Sequence, residues 1–123
     1  AYLEKLVGEE SAALTKSGEP VEGVLDVNAE YHRAIARYAD SGRLYDMVVP
    51  LIEVQRVLRT FRRYSHGHLQ QHMEDHGVLI QAFRARDPQW AEAVMRAHLI
   101  GTKESLLADK RASEAEARSE FEE

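Results

Sequence analysis

Cysteine is absent from this chain of 123 residues, and its absence excludes several kinds of site and fold. Disulfide scaffolds, cysteine-based zinc fingers, iron–sulfur centres and thiol catalysis all need a residue that the sequence does not contain. Glycine (7) and proline (3) are also few, and no Asn-Gly or Asp-Gly pair is present to form a tight β-hairpin. These shortages favour a helical fold with few turns.

Long apolar runs and an excess of positive charge are missing as well. No segment approaches the roughly 18 consecutive apolar residues that cross a bilayer, and no signal-peptide pattern opens the sequence, so we expect a cytoplasmic protein without membrane contact. The 16 Lys and Arg residues are outnumbered by 21 Asp and Glu residues, which gives a net charge of -5. A mildly acidic domain is poorly suited to bind a nucleic-acid backbone by itself.

Apolar residues recur at helical spacing between the few turn signals, and this pattern predicts an all-α fold. Asp87 and Pro88 form an N-cap followed by proline at the first helical position, which predicts the start of a fifth helix. Because the connections are short, we expect an antiparallel helical bundle over residues 1–109, followed by a charged helical extension or tail over residues 110–123. The first four predicted helices cover roughly residues 2–16, 20–39, 43–64 and 69–85.

The third predicted helix has one apolar face, which we expect to pack into the core. Pro50 should kink this helix or split off its first turn, because proline cannot donate a backbone hydrogen bond. Residues 65–67 interrupt the helical pattern and are predicted to separate this helix from the next. The apolar face consists of Leu44, Met47, Val48, Leu51, Val54, Leu58 and Phe61.

Six histidines in a cysteine-free chain are the unusual feature of the composition. His32, His76 and His98 each occupy a position where the pattern of a different helix calls for a core residue. Asn28 lies four residues before His32, so its side chain falls on the same helix face one turn away. An unpaired buried imidazole costs about 1–3 kcal/mol. One divalent cation would satisfy all of these side chains together.

The alternative interpretation is that each of the three is a separate core histidine, hydrogen-bonded to a backbone carbonyl or a tyrosine. The remaining histidines, His66, His68 and His72, cluster near a glycine and are expected to be solvated. His72 lies four residues before His76, so it is the one of the three that could join a metal site.

Each of the three inward histidines lies within a short sequence pattern. The patterns are NAEYHRAI at residues 28–35, followed by SGRL at 41–44; DHGVLIQA at 75–82, followed by Asp87; and MRAHL at 95–99, preceded by Ala91. They resemble (D/N)xx(F/Y)HxxI…SGNxxL, EHxxIxxAIxxGD and A…MxxHL of the FCD domain, the C-terminal effector domain of FadR-type regulators in the GntR family. Their order and spacing fit that family, and the similarity covers roughly residues 14–107.

The resemblance implies a helical bundle with a divalent metal ion in its core and a small carboxylate effector beside the metal. Carried over by position, the metal ligands are Asn28, His32, His76 and His98. Zinc is the expected metal, with nickel or manganese as alternatives. The family likeness also implies a homodimeric transcription regulator rather than an enzyme, with no catalytic residues. Effector binding would modulate DNA binding through a separate winged helix-turn-helix domain.

Two departures from the family pattern have consequences. Asn28 stands where Asp is the commonest first ligand, so the four protein ligands bring no negative charge. A dication held this way should attract an anionic effector more strongly and be retained less well without one. The sequence also lacks the DNA-binding domain and the first helix of the effector domain, so we expect it to be a fragment or to have unresolved residues.

Arginines on the third predicted helix could bind the far end of an effector. Arg56, Arg59 and Arg63 follow one stripe of that helix, and Arg59 is the proposed effector contact because it lies mid-helix beside Leu58. The alternative is a solvated basic face that pairs with nearby acidic residues.

Two other function classes stay open at this stage. A metal-dependent hydrolase or transferase of the DinB type also brings three histidines to one metal, with bound water as the nucleophile. A general base is not obvious, because Glu74 and Asp75 flank His76 and should point away from its inward face. The third class is a purely structural interaction bundle, which would bind no metal.

Overall fold

The structure is a computed structural model that describes residues 1–15, 22–60 and 66–121, with side chains for residues 1–14, 23–56 and 68–120. The described residues form five helices and no strand, so the predicted all-α fold is confirmed. Among these helices, none combines the length with the hydropathy that a bilayer crossing demands. The helices are α1 (Tyr2–Thr15), α2 (Glu22–Tyr38), α3 (Gly42–Thr60), α4 (His66–Ala85) and α5 (Pro88–Phe121).

Side-chain caps start two of the helices. Asp87 accepts a hydrogen bond from the backbone N–H of Trp90 at 2.9 Å, which is the N-cap that the sequence predicts for α5. Ser41 does the same for α3, accepting from the N–H of Leu44 at 3.3 Å. The prediction for α4 is wrong by one turn, since this helix begins at His66. A glycine in the first turn is tolerated because the N–H groups there need no partner within the helix.

The turn between α4 and α5 is tight. Arg86 has a φ of 53°, in the left-handed region where glycine is the usual residue. The N–H of Arg86 donates to the carbonyl of Phe83 and that of Asp87 to the carbonyl of Ala82, each at 3.1 Å. This pair of bonds is a Schellman motif, which ends α4 and reverses the chain into α5.

The helices are arranged so that α1 packs between α2 and α4, while α3 packs on α2 and α5 on α4. Short connections make the sequential neighbours antiparallel. The ion pairs of Glu4 with Arg84 and of Glu10 with His76 show that α1 and α4 are also antiparallel. It follows that α2 and α4 run in the same direction, and α5 runs in the opposite one.

The core lies where α1, α2 and α4 meet. Leu6, Tyr31, Ala34 and Leu79 are its centre, and none of them is more than 4% exposed. Val94 and neighbouring residues of α5 pack against this centre from the side. Beyond the bundle α5 continues as one helix, in which residues 110–120 are all exposed.

The predicted orientation of α3 is wrong. Five residues of its predicted apolar face are exposed, although the pattern placed them in the core. We call the exposed set the α3 stripe: Leu44, Met47, Val48, Leu51 and Val54, which are 37–68% exposed. Leu58 and Phe61 of the same predicted face lie outside the described side chains. The helix continues through Pro50, so the proline does not split off its first turn.

Ion pairs join α3 to α2. Arg56 of α3 contacts Asp26 of α2 at 3.2 Å and Glu53 of its own helix at 3.1 Å. Arg33 of α2 completes the network by pairing with both Glu53 and Glu30. The two pairs that join the helices are separated by 20 residues (Arg33 and Glu53) and 30 residues (Arg56 and Asp26). The pattern within α3 alone could therefore not reveal them.

Candidate metal centre

Three imidazoles from three helices meet inside the bundle. Ligand-type atoms of His32 on α2, His76 on α4 and His98 on α5 all lie within 4.8 Å of one another, so the group could hold a metal ion. The ring centroids are 4.9–5.4 Å apart. His76 is 0% and His98 2% exposed, and His32 is half-buried. The convergence predicted from helical periodicity is therefore observed.

Two buried polar atoms on α2 and α4 have no hydrogen-bond partner among the residues that the structure describes. They are Nε2 of His76 and Oδ1 of Asn28. Asn28 is 8% exposed and lies one turn before His32 on α2. Buried polar atoms are nearly always paired, so these two are available to contact a bound group. Three imidazole nitrogens and an amide oxygen suit a divalent ion such as zinc, nickel or manganese. The residues present thus fit a metal.

His76 is held from two sides. Its Nδ1 lies 2.9 Å from Oε2 of Glu10 on α1, and Glu10 itself is only 2% exposed. The ring of Tyr31 stacks on the imidazole, and the Tyr31 hydroxyl donates to the backbone carbonyl of His76 at 2.9 Å. Burial, together with the nearby charge of Glu10, raises the pKa of Tyr31, so this hydroxyl stays protonated and remains a donor.

His98 is oriented in the same way as His76. Its Nδ1 lies 3.0 Å from Oδ2 of Asp75, which projects from the flank of α4 toward α5. The prediction that Asp75 points away from the site is wrong, and no sequence pattern singled out Glu10. Glu10 could have been found, because it continues the apolar face of α1 four residues after Leu6.

A protein-family model matches most of the bundle. The family model of the FCD domain matches residues 2–101, which include α1 to α4 and the first part of α5. The chain belongs to the FCD domain family. No curated protein and no solved structure gives a match to this FCD domain. All four candidate ligands lie within the matched residues, as does Glu10.

The expectation that His72 is solvated is wrong. In this FCD domain His72 is 8% exposed, and its ring meets the ring of His98 edge-on, with centroids 4.8 Å apart. Because it lies one turn before His76 on the same face of α4, α5 covers it. His68 is exposed, and the side chain of His66 lies outside the described residues.

A cleft of about 390 Å³ lies between α4 and α5 and reaches His98. Several polar side chains line it, although carbon atoms provide most of its exposed surface. Thr102 and Ser105 of α5 are buried there, and Oγ of Ser105 has no hydrogen-bond partner within the described part of the chain. His72 and Asp75 line the opposite wall. A small polar ligand in this cleft would contact a candidate metal-binding histidine and several hydrogen-bonding groups.

The arginines predicted to face an effector give a mixed outcome. Arg56 pairs with Asp26 and Glu53, as the alternative interpretation of that stripe expects. The side chains of Arg59 and Arg63 lie outside the described residues of the FCD domain, so the proposed role of Arg59 stays a prediction.

Proposed function

We propose that this FCD domain is the ligand-sensing part of a GntR-type transcription regulator, and that it binds a divalent metal ion and a small carboxylate effector. One observation carries the proposal: three imidazoles from separate helices converge, while Nε2 of His76 and Oδ1 of Asn28 have no hydrogen-bond partner among the described residues. The FCD family match supports the regulatory context. In this proposal the domain performs no catalysis, and its protein acts in the cytoplasm.

Asn28, His32, His76 and His98 are the proposed metal ligands, with zinc as the preferred ion. The bound ion supplies an electrophilic centre that attracts a carboxylate group. The protein contributes orientation, because Glu10 and Asp75 fix two of the imidazole rings.

The cleft between α4 and α5 is the proposed effector site. An effector that contacts His72 of α4 and Ser105 of α5 would bridge the two helices. Oγ of Ser105 has no hydrogen-bond partner among the described residues, which supports a ligand there. Differential contacts of this kind shift the population of bundle conformations. In the proposed regulator, that shift changes the spacing of two DNA-binding domains, which lie outside this chain.

A homodimer is part of the proposal, since regulators of palindromic operators use two-fold symmetry. The α3 stripe supports it. Five apolar side chains along one helix expose a surface whose hydration is unfavourable. Contiguous apolar patches of this kind commonly mark protein interfaces. Two antiparallel α3 helices would place this stripe against its own copy, as a two-fold interface requires.

A thermal-shift screen tests the sensor function. Small hydroxy- and dicarboxylates are added to protein with and without zinc, and a hit should raise the melting temperature only when zinc is present. Saturation at about 100 times Kd corresponds to roughly 2.7 kcal/mol of stabilisation. Ser105→Ala should weaken the response to a hit, whereas Ser113→Ala on the exposed part of α5 should not. No zinc-dependent hit across the screen would count against the sensor function.

A metal-dependent hydrolase is the second candidate, and Asp75 is the observation that favours it. Its carboxylate lies at the wall of the cleft beside His98, where a general base would be needed. Incubating the zinc-loaded protein with ester and thiol-conjugate substrates decides between the two. Turnover that His98→Ala abolishes would favour the enzyme; tight effector binding without turnover favours the sensor.

A further inference from the structure

Two of the three histidines share one arrangement, in which Nδ1 lies against a carboxylate. Glu10 of α1 is 2.9 Å from His76, and Asp75 of α4 is 3.0 Å from His98. A carboxylate in this position holds the proton on Nδ1 and leaves the lone pair on Nε2 for a metal. The arrangement therefore bears on the charge and the geometry of the candidate metal centre.

Glu10 is the more informative of the two carboxylates because it is almost fully buried. An ionised carboxylate at 2% exposure is costly unless its charge is balanced. Nε2 of His76 is buried and has no hydrogen-bond partner among the described residues. A cation at Nε2 would occupy this atom and would balance the charge of Glu10 through the ring.

The charges of the proposed direct ligands lead to the same conclusion. Three neutral imidazoles and the amide of Asn28 contribute no negative charge to offset a dication. Glu10 and Asp75 each lie one imidazole away and together contribute two. In a site of low dielectric constant, charges at this separation interact strongly. The expectation that the dication is uncompensated therefore overlooks these two carboxylates.

We propose that Glu10 and Asp75 are positioning residues that supply, through His76 and His98, the negative charge that the direct ligands of this metal centre lack. Glu10 also couples α1 to the centre, although α1 contributes no direct ligand. The inference rests on the proposed function, because it needs a divalent cation at the three histidines. It goes further by assigning the charge balance to residues outside the ligand set.

Zinc affinity, measured by competition with a chromogenic chelator, tests this assignment. Glu10→Gln keeps the size and an acceptor oxygen but removes the charge, so zinc should bind about 10- to 100-fold more weakly. The control is Glu9→Gln, because Glu9 is exposed and pairs with Lys5 on the surface. Its zinc affinity should stay within about twofold of wild type, as for other surface ion pairs.

A rescue variant separates charge balance from a structural role. Asn28→Asp places a negative charge among the direct ligands, so in the Glu10→Gln background it should recover about tenfold in zinc affinity. Its gain in the wild-type background should be smaller, because Glu10 already supplies the charge. The absorption spectrum of bound cobalt provides a second readout, since it reports the ligand set directly. A residue that only stabilises the fold would not be rescued in this way.

The outcomes distinguish this inference from the proposed function. If wild type binds zinc and Glu10→Gln binds it equally well, the role of Glu10 is overturned while the metal centre stands. If wild type binds no zinc, both proposals are overturned. If Glu10→Gln does not fold, Asp75→Asn decides: weaker zinc binding supports the inference, and wild-type affinity overturns it.

Discussion

Tyr31 and His76 lie face to face in the centre of the bundle, with ring centroids 4.1 Å apart and an angle of 18° between their planes. The Tyr31 hydroxyl reaches past the ring to the backbone carbonyl of His76. One residue of α2 therefore fixes both the ring plane and the backbone of a candidate metal ligand on α4. Both side chains are 0% exposed, so water cannot replace either contact.

Removing that hydroxyl should destabilise the domain. Tyr31→Phe keeps the stacked ring and deletes one buried hydrogen bond, which should lower the free energy of unfolding by about 1 kcal/mol. Urea denaturation, monitored by circular dichroism, measures this change in the free energy of unfolding. Tyr38→Phe is the matched control, since Tyr38 is 62% exposed and its change should stay within about 0.5 kcal/mol. Equal effects of the two substitutions would contradict a structural role for the Tyr31 hydroxyl.

Polar substitution in the α3 stripe should weaken self-association without unfolding the monomer. Leu51 is 68% exposed, so Leu51→Gln should change the free energy of unfolding by no more than about 0.5 kcal/mol. In the proposed dimer the same change removes an apolar contact at the centre of the interface. Sedimentation equilibrium should show a larger dissociation constant. Asp46→Gln, an exposed change on another side of α3, should leave the dissociation constant unaltered.

The turn after α4 should tolerate glycine better than its natural residue. Arg86 adopts a left-handed conformation that strains any residue with a Cβ. Arg86→Gly relieves this strain, and after the entropy that glycine costs in the unfolded chain the gain should be about 0.5–1 kcal/mol. Arg86→Ala keeps the strain and should not stabilise the domain. A melting temperature that falls for Arg86→Gly would show that the arginine side chain stabilises this turn.

Acid should weaken the contact between α1 and α2 through Glu30. Burial raises the pKa of Glu30, but hydrogen bonds from Arg33 and Tyr2 outweigh it, so the pKa of this carboxyl lies below its ordinary value. The resulting stabilisation is fully present above the unfolded pKa of about 4.3 and is lost as pH falls through the lowered value. The difference in unfolding free energy between wild type and Glu30→Gln should therefore shrink from pH 6 to pH 3. A constant difference would contradict this linkage.

Much of the fold was predictable because helices are specified locally. Spacing of three and four residues identifies the buried face of α2 and α4, and it placed His32, His76 and His98 on inward faces. The cap at Asp87 was equally visible, since it depends on residues adjacent in sequence. The convergence of the three rings then follows from packing helices into one bundle.

The features that could not be predicted depend on contacts between residues that are distant in sequence. Glu10 and His76 are 66 positions apart, and Asp75 and His98 are 23 apart, so no local pattern links either pair. The outward orientation of α3 has the same origin. Its apolar pattern favoured burial of the α3 stripe, whereas the side of α3 that meets α2 carries Arg56, which pairs with Asp26. The periodicity of a sequence shows which residues share a helix face. Which face is buried depends on the neighbouring helix.

Metal content of protein purified without a histidine tag or metal-affinity column tests the central claim most directly. Inductively coupled plasma mass spectrometry should find close to one divalent ion per chain in the wild type after dialysis against zinc. His32→Ala and His76→Ala should each lose most of it, whereas His68→Ala, outside the three-histidine group, should retain it. Negligible metal in the wild type, or the same amount in all four proteins, would contradict a metal centre at these histidines.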